Sequence, residues 1–175
     1  MRIVSGRHRG RPLKAPEGPG IRPTSDRTRQ AVFNILAHGI PGFSFEGISV
    51  ADVFCGTGAL GLEALSRGAA HAAFIDTDAI ALKYAKENAA RLGEWRNILV
   101  LKLDATRLAP PPLAAHAPCA LAFLDPPYGE ELLGPAVRAA GEPFGSPGKM
   151  RFMSSPPNGT LRWERLNALG FTPGM

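Results

Sequence analysis

The chain has 175 residues, 45% of them hydrophobic and 20% charged, which is the composition of one globular domain with a full core. Its apolar runs are too short to span a bilayer, and no apolar signal-peptide core follows Met1-Arg2-Ile3-Val4, so we expect a cytoplasmic protein rather than a membrane or secreted one. The net charge of +5 is concentrated in residues 1–45, which hold eight basic and two acidic residues and therefore indicate a polyanionic partner such as nucleic acid.

The first predicted element is a basic β-hairpin within residues 1–20. The segments Arg2–Ser5 and Arg11–Lys14 flank a tip that has glycine on both sides, at Gly6 and Gly10. The alternative to a phosphate-binding tip is a solvated charged loop. The side chains that we expect to contact the phosphates of a nucleic acid are Arg7, His8, Arg9 and Arg11.

A helix is predicted next, over residues 25–38. Thr24, Ser25 and Asp26 supply N-cap candidates, and Gly39 follows the last predicted turn.

From Ile48 onward, predicted strands alternate with helices. The strands are residues 48–54, 72–75, 98–103 and 120–124, and the helices end at Leu65, run from Asp78 to Leu92 and cover 131–140. Such alternation predicts an α/β, Rossmann-like fold, in which a mostly parallel sheet carries helices on both faces. Cys55 and Cys119 lie in apolar, strand-like segments without metal-ligand spacing, so we expect buried free thiols.

A glycine-rich turn, Gly56-Thr57-Gly58-Ala59-Leu60-Gly61, follows the first strand and matches G-x-G-x-x-G. Asp76 ends the next strand, where a carboxylate can bind an adenosine ribose, in NAD or in S-adenosylmethionine. Asp52 would suit the methionyl ammonium and disfavour phosphate; its alternative role is that of a charge partner for a helix N-terminus. Asp104 is placed to reach the adenine amino group, or else to cap a loop.

The segment Asp125-Pro126-Pro127-Tyr128 directly follows the fourth strand, at the sheet edge where open α/β folds bind ligands. Two prolines make a rigid turn whose carbonyls are not committed to a helix. A carboxylate and these carbonyls can accept both hydrogens of an exocyclic amino group while the tyrosine ring stacks on a base. The motif therefore indicates chemistry on a planar amine nitrogen, and the alternative is a rigid loop without a substrate.

These residues favour S-adenosylmethionine over NAD. A dehydrogenase needs a proton donor, yet no Tyr-x-x-x-Lys is present, and His8, His38, His71 and His116 are expected on surfaces or loops without a shared site. The segment from Asp125 to Tyr128 has an immediate use only in methyl transfer.

Together, the segments resemble the bacterial 16S ribosomal RNA guanine-N2 methyltransferase family. The resemblance covers residues 1–140 almost continuously and is carried by residues 2–13, residues 22–27, DVFCGTGALGLEALSRG (Asp52–Gly68) and Asp125–Tyr128. It implies a monomeric enzyme that uses S-adenosylmethionine and no metal. Its substrate would be the N2 amino group of a guanine in 16S rRNA, within the small subunit or an assembly intermediate. An amino-methyltransferase acting on DNA adenine or a protein amide, and a non-catalytic RNA-binding module, are the alternatives.

The resemblance also implies roles for individual residues. The expected catalytic residues are Asp125, Pro126, Pro127 and Tyr128; the expected cofactor contacts are Asp52, Phe54, Gly56, Gly58, Asp76, Thr77, Asp104 and Ala105; the expected RNA contacts are Arg7, His8, Arg9, Arg11, Arg22 and Thr24.

Residues 1–140 are expected to form a single methyltransferase domain, followed by a divergent tail at 141–175. The tail is rich in Gly, Pro and Ser; we predict a short strand at 151–153 and a short helix at 161–169. The family continues with a fifth strand, a helix and a β-hairpin, which this tail does not resemble. An abrupt change of this kind is typical of a frameshift and would leave the edge of the fourth strand uncovered.

Overall fold

A computed structural model of the chain describes residues 1–16, 26–127, 132–144, 151–154 and 162–165. A six-stranded sheet lies at its centre. The strands are β1 (Ser49–Val53), β2 (His71–Asp76), β3 (Ile98–Lys102), β4 (Leu121–Leu124), β5 (Arg151–Ser154) and β6 (Arg162–Arg165). Their spatial order is β3-β2-β1-β4-β5-β6, and β6 alone among these six is antiparallel to its neighbour.

Four α-helices within the described residues accompany the sheet: α1 (Asp26–Gly39), α2 (Ala59–Ser66), α3 (Ala79–Leu92) and α4 (Leu133–Phe144). Both ends of α3 agree with the local sequence signals. The Asp78 side chain accepts a hydrogen bond from the main-chain N–H of Ile80 at 2.8 Å, and Gly93 closes α3 with a left-handed φ of 78°.

The two faces of the sheet bury alternate side chains. Val50, Phe74 and Phe123 face α1, α2 and α3, whereas Val53 and Leu124 face α4 and the segment between β3 and β4. Because side chains alternate along a strand, Asp52 lies on the same face as Val50, beneath α2. All the central strands are buried on both sides, as parallel strands usually are.

The strand order reverses between β1 and β4. The chain runs outward from β1 through β2 and β3 and then returns to β4 on the other side of β1. Beyond the carboxyl ends of these two strands the connecting loops separate, which leaves the crevice where doubly wound folds bind their ligands.

The described carboxyl-terminal residues add two strands to the sheet, which confirms the predicted strand and corrects the predicted uncovered edge and helix. The strand expected at 151–153 is confirmed by β5, which pairs with β4 along its whole length, so the fourth strand is covered. The helix expected at 161–169 is wrong where β6 lies, because Arg162–Arg165 pairs with β5. A segment this short carries no decisive period, and the available edge of β5 determines its structure.

The predicted amino-terminal hairpin is present. Arg2 and Pro12 form an antiparallel bridge, and the Ile3 N–H donates to Arg11 O at 2.9 Å while the Gly10 N–H donates to Ile3 O at 2.8 Å. Ile3 and Leu13 are buried in the core, so the hairpin packs on the domain through its apolar side.

A fully buried carboxylate, that of Glu63 in α2, fastens the hairpin to the domain. It accepts hydrogen bonds from the main-chain N–H groups of Val4 at 2.8 Å and Ser5 at 2.9 Å. The Arg67 Nε group donates to it at 2.8 Å. Glu63 therefore supplies the acceptor for two part-buried main-chain donors and for the Arg67 Nε group.

The end of α2 holds the tip of the hairpin. The Ser66 hydroxyl donates to Ser5 O at 2.6 Å and accepts from the His8 N–H at 3.0 Å. Gly6 has a φ of 79°, and a Cβ at this position would lie 2.0 Å from Ser66 O, so only glycine allows this close approach.

Two histidines stack near the amino ends of the strands, contrary to the expectation that each histidine would lie by itself on a surface or in a loop. His71 is buried at the start of β2, and its ring centroid lies 4.3 Å from that of His116. Burial, and then the neighbouring His116, lowers the pKa of His71 to about 4. The sequence pattern did not show that the segment containing His116 covers this end of β2. The His71 imidazole is neutral and packed there, so its role is structural.

Both cysteines are buried free thiols, as predicted. Burial raises the pKa of the Cys119 thiol to about 12. Among the described helices, none has the length and apolarity needed to cross a membrane.

Candidate active site

Acidic side chains from three adjacent strands meet at the carboxyl edge of the sheet. Val53 pairs with Ile75 on one side and with Leu124 on the other, so Asp76 and Asp125, which follow those partners, flank the end of β1. The Asp125 N–H donates to Val53 O at 3.4 Å, which places the fourth-strand turn beside the glycine loop. The predicted meeting of the first and fourth strand ends is therefore present.

The three glycines of the loop have different surroundings. Gly56 has a φ of 53°, and a Cβ built there meets nothing within 4 Å, so its missing side chain leaves open space at the edge. A Cβ on Gly61 would lie 2.3 Å from the Phe74 ring, and one on Gly58 would lie 3.1 Å from the Ala85 Cβ. Gly58 and Gly61 therefore allow close packing, whereas Gly56 has open space beside it at this edge of the sheet. We call this space the cradle.

The Asp76 carboxylate shapes this loop. One oxygen accepts a hydrogen bond from the Gly56 N–H and the other from the Asp78 N–H, both at 2.9 Å. Each carboxylate oxygen has a second acceptor site, so a ribose diol can still bind. Asp76 is thus positioned before any ligand arrives.

Asp52 is 1% exposed and accepts a hydrogen bond from the Gly61 N–H at 2.8 Å. Burial, together with the charges of Asp125 and Asp76, raises the pKa of this carboxyl well above its usual value. The structure therefore shows the alternative role considered from the sequence, that of a partner for the first turn of α2.

The field at this edge is acidic. Burial, and then the charges of Asp52 and Asp76, raises the pKa of the Cys55 thiol. Phosphate is disfavoured at such an edge, whereas a cationic ligand reduces the repulsion between the carboxylates. Within the described part of the chain, no cluster of His, Cys, Asp and Glu has metal-binding geometry.

Other predicted cofactor contacts surround the loop. Phe54 has a left-handed φ of 62°, which is uncommon for a bulky residue and turns the chain sharply at the end of β1. Thr77 lies between Asp76 and the cap of α3, and Ala105 is buried below the edge. The Asp104 carboxylate accepts from the Thr106 N–H and hydroxyl, so it forms the loop cap considered from the sequence while remaining exposed.

The proline turn is described through Pro127. Asp125 and Pro126 are partly exposed and Pro127 is exposed, so the turn is accessible to solvent rather than packed in the core. Tyr128, Arg22 and Thr24 lie outside the described residues, and their roles stay predictions.

The predicted RNA-binding tip lies at the opposite edge of the sheet. It docks on the end of α2 and on Glu94, which follows α3, and both points adjoin the amino ends of the strands. Arg7 and His8 pair with Glu94 at 2.7 and 2.5 Å. Burial opposes ionisation of Glu94, but hydrogen bonds from Asn97, His8 and Arg7 outweigh it and lower its pKa. The Arg7 and His8 side chains are therefore both engaged with Glu94 within the protein.

The other two predicted tip residues remain accessible. Arg9 is exposed, and Arg11 donates to Arg91 O at 3.1 Å. Sequence reasoning missed the anchoring residues Glu63, Ser66 and Asn88, although polar residues within an otherwise apolar helix stripe are a usable signal. Asn88 is fully buried and bonds both Lys14 and the Thr57 carbonyl, which ties the hairpin strand to the glycine loop.

The sequence matches a known family model, described as Conserved hypothetical protein 95, over residues 1–142. The chain belongs to this family. The family match and the relatives below confirm the resemblance found in the sequence.

Two relatives extend the comparison. The chain is 38% identical over 133 residues to the Bacillus subtilis protein YlbH, to which rRNA methyltransferase activity is attributed, and covers 70% of its length. It is 39% identical over 133 residues to Ribosomal RNA small subunit methyltransferase D of Escherichia coli and spans 63% of its length. Each match covers 76% of this chain.

Solved structures confirm the fold. The Escherichia coli protein yhhF, to which its name attributes methyltransferase activity, superposes with a TM-score of 0.70 at 30% identity, covering 88% of this chain and 78% of that one. The fold is the Rossmann-like fold of S-adenosylmethionine-dependent methyltransferases, as expected, and this supports the expected cofactor.

Proposed function

We propose that this protein is an S-adenosylmethionine-dependent methyltransferase that modifies the exocyclic N2 amino group of a guanine in 16S rRNA. The observation that carries the proposal is the crevice between β1 and β4, where the open cradle at Gly56 adjoins the Asp125 turn. The names of the E. coli and B. subtilis relatives support rRNA as the substrate.

The residues at this edge fit the cofactor. Gly56 leaves room for it, Asp76 and Asp104 offer exposed or partly exposed carboxylates for its hydroxyl and amino groups, and the acidic field suits its positive charges. When bound, S-adenosylmethionine supplies an electrophilic methyl group on a positively charged sulfur. Asp52 contributes from beneath by fixing the first turn of α2, and through it the glycine loop.

Asp125 and the prolyl carbonyls would orient the target base. The guanine amino nitrogen is a weak nucleophile because its lone pair is delocalised into the ring. Hydrogen bonds from both of its hydrogens to Asp125 and a carbonyl of the turn would hold that lone pair toward the crevice, so positioning supplies most of the acceleration. Asp125 would accept the proton released from the nitrogen. Tyr128 would stack on the splayed-out base.

Replacing Gly56 with Ala should weaken S-adenosylmethionine binding at least tenfold, because the added methyl group enters the cradle and opposes the left-handed φ. Isothermal titration measures the affinity. Gly93→Ala is the matched control, since Gly93 also has a left-handed φ and open space around its Cβ but lies at the end of α3. Equal loss of affinity in both variants would remove Gly56 from the cofactor site.

The proposed activity is tested by methyl transfer from labelled S-adenosylmethionine to four substrates: undermethylated small subunits, naked rRNA, DNA and protein. We expect incorporation into the small-subunit RNA. Incorporation into DNA or protein alone would replace the proposed substrate, and cofactor binding without any transfer would favour a non-catalytic RNA-binding role.

A further inference from the structure

A groove of about 530 Å³ runs between the amino-terminal hairpin and α1. None of its described lining residues lies at the carboxyl edge of the sheet. The polar side chains that line it are Arg2, Arg9, Asp26, Arg27, Gln30 and Asn34. We call these residues the arginine groove.

Hydrogen bonds to the buried side chains of Arg29 and Glu63 hold the walls of the arginine groove in place. The fully buried Arg29 guanidinium of α1 donates to Arg2 O and to the Asp26 carboxylate at 2.6 Å, so it links the helix to the hairpin. Glu63 holds the next two main-chain N–H groups of the hairpin from the other side. Both walls are therefore fixed before any partner binds, which reduces the entropic cost of binding.

The groove carries excess positive charge. Among its described lining residues, Asp26 is the single acidic one, against three arginines. Partial burial opposes ionisation of Asp26, but the Arg29 guanidinium outweighs it and lowers the pKa of that carboxyl. Among the described residues, neither Arg9 nor Arg27 takes part in an ion pair. Two exposed guanidiniums are thus available to an anionic partner.

The chemistry of the lining favours nucleic acid. Guanidinium groups bind phosphate oxygens in a bidentate manner, and the exposed amides of Gln30 and Asn34, one turn apart on α1, can bond to ribose hydroxyls or base edges. An acidic protein segment would also be attracted by the charge, but the lining has only short apolar side chains to anchor one.

We propose that the arginine groove binds the sugar–phosphate backbone of substrate RNA at a distance from the methylated base. The proposal rests on the proposed function for its choice of RNA as partner. Of the four predicted tip contacts, Arg7 and His8 are bound to Glu94. The proposal therefore assigns the main phosphate contacts to Arg9, which is one of those four, and to Arg27 of α1. The groove then sets the orientation of the RNA while the crevice selects the base.

The test compares Arg9→Gln/Arg27→Gln with Arg91→Gln/Arg96→Gln. Both variants remove two exposed arginines, and the second pair lies outside the groove at the end of α3. Fluorescence anisotropy with a short labelled single-stranded RNA measures affinity, and thermal unfolding checks the fold. At about 0.1 M salt we expect roughly 10- to 30-fold weaker binding for the groove variant, with a salt slope reduced by about 1.4, since each phosphate on a single strand contributes about 0.7.

Equal losses in the two variants, or no loss in either, would overturn the groove proposal. Loss of binding to a labelled poly-glutamate peptide with unchanged RNA affinity would also overturn it, in favour of a protein partner. In methylation assays the groove variant should raise KM for small subunits and leave kcat unchanged. If the native protein methylates no RNA but the groove variant still loses RNA affinity, the proposed function is wrong and the groove proposal holds. If the native protein methylates RNA but the groove variant keeps its RNA affinity, the proposed function holds and the groove proposal is wrong.

Discussion

Asp125→Ala should lower the rate of methyl transfer roughly 100- to 10,000-fold, the range typical of a lost general base or orienting hydrogen bond. Asp125 directly follows β4 and lies beside the end of β1, where its carboxylate can accept a hydrogen from the target amine. Without the carboxylate, the lone pair of the amine is not held toward the crevice. Single-turnover kinetics with saturating cofactor and small subunits measures the chemical step.

The affinity for S-adenosylmethionine provides the control for this variant. It should change less than about threefold, because the cradle at Gly56 and the Asp76 carboxylate are retained. Asp125→Asn keeps the shape and one acceptor, so we expect an intermediate rate. Full turnover in Asp125→Ala would show that this carboxylate neither orients nor deprotonates the amine.

Glu63→Ala should lower the free energy of unfolding by about 3–5 kcal/mol, the cost of removing one partner from a buried ion pair. The substitution leaves Arg67 and the N–H groups of Val4 and Ser5 without their acceptor beneath the hairpin. Because the hairpin forms one wall of the arginine groove, RNA affinity should fall as well. Chemical denaturation measures the loss of stability.

Glu87→Ala is the matched control for Glu63→Ala. Glu87 also pairs with a cation of the amino-terminal arm, Lys14, at 3.0 Å, but the side chains are 36% and 50% exposed. An exposed pair contributes only about 0–1 kcal/mol, so this variant should remain close to the native stability. If Glu63→Ala were no more destabilising than Glu87→Ala, the anchoring role of Glu63 would be wrong.

The elements of the domain could be predicted from the sequence where local signals were strong. The four strands from Ile48 to Leu124, the cap at Asp78 and the turn at Gly93 are present within a residue or two of the expected positions, whereas α4 ends at Phe144, four residues beyond its expected end. These signals depend on local physics: apolar runs form buried strands, and glycine supplies left-handed backbone conformations.

Features that depend on tertiary contacts could not be predicted. Arg162–Arg165 forms a strand because the edge of β5 is available for pairing. Asp52 lies beneath α2 because its position in β1 faces that helix. The sequence indicated the basic tip but not Glu94, whose position 86 residues beyond His8 has no local signal. For the same reason, the arginine groove required knowledge of how α1 packs beside the hairpin.

Nucleoside mass mapping of small-subunit RNA, after incubation of undermethylated particles with the protein and S-adenosylmethionine, tests the central claim most directly. If the amine is held by Asp125 at the crevice between β1 and β4, one guanine should gain a single methyl group on N2, and Asp125→Ala should leave it unmodified. A methyl group on a ring nitrogen, on ribose or on adenine, or N2 methylation that persists in Asp125→Ala, would contradict the account.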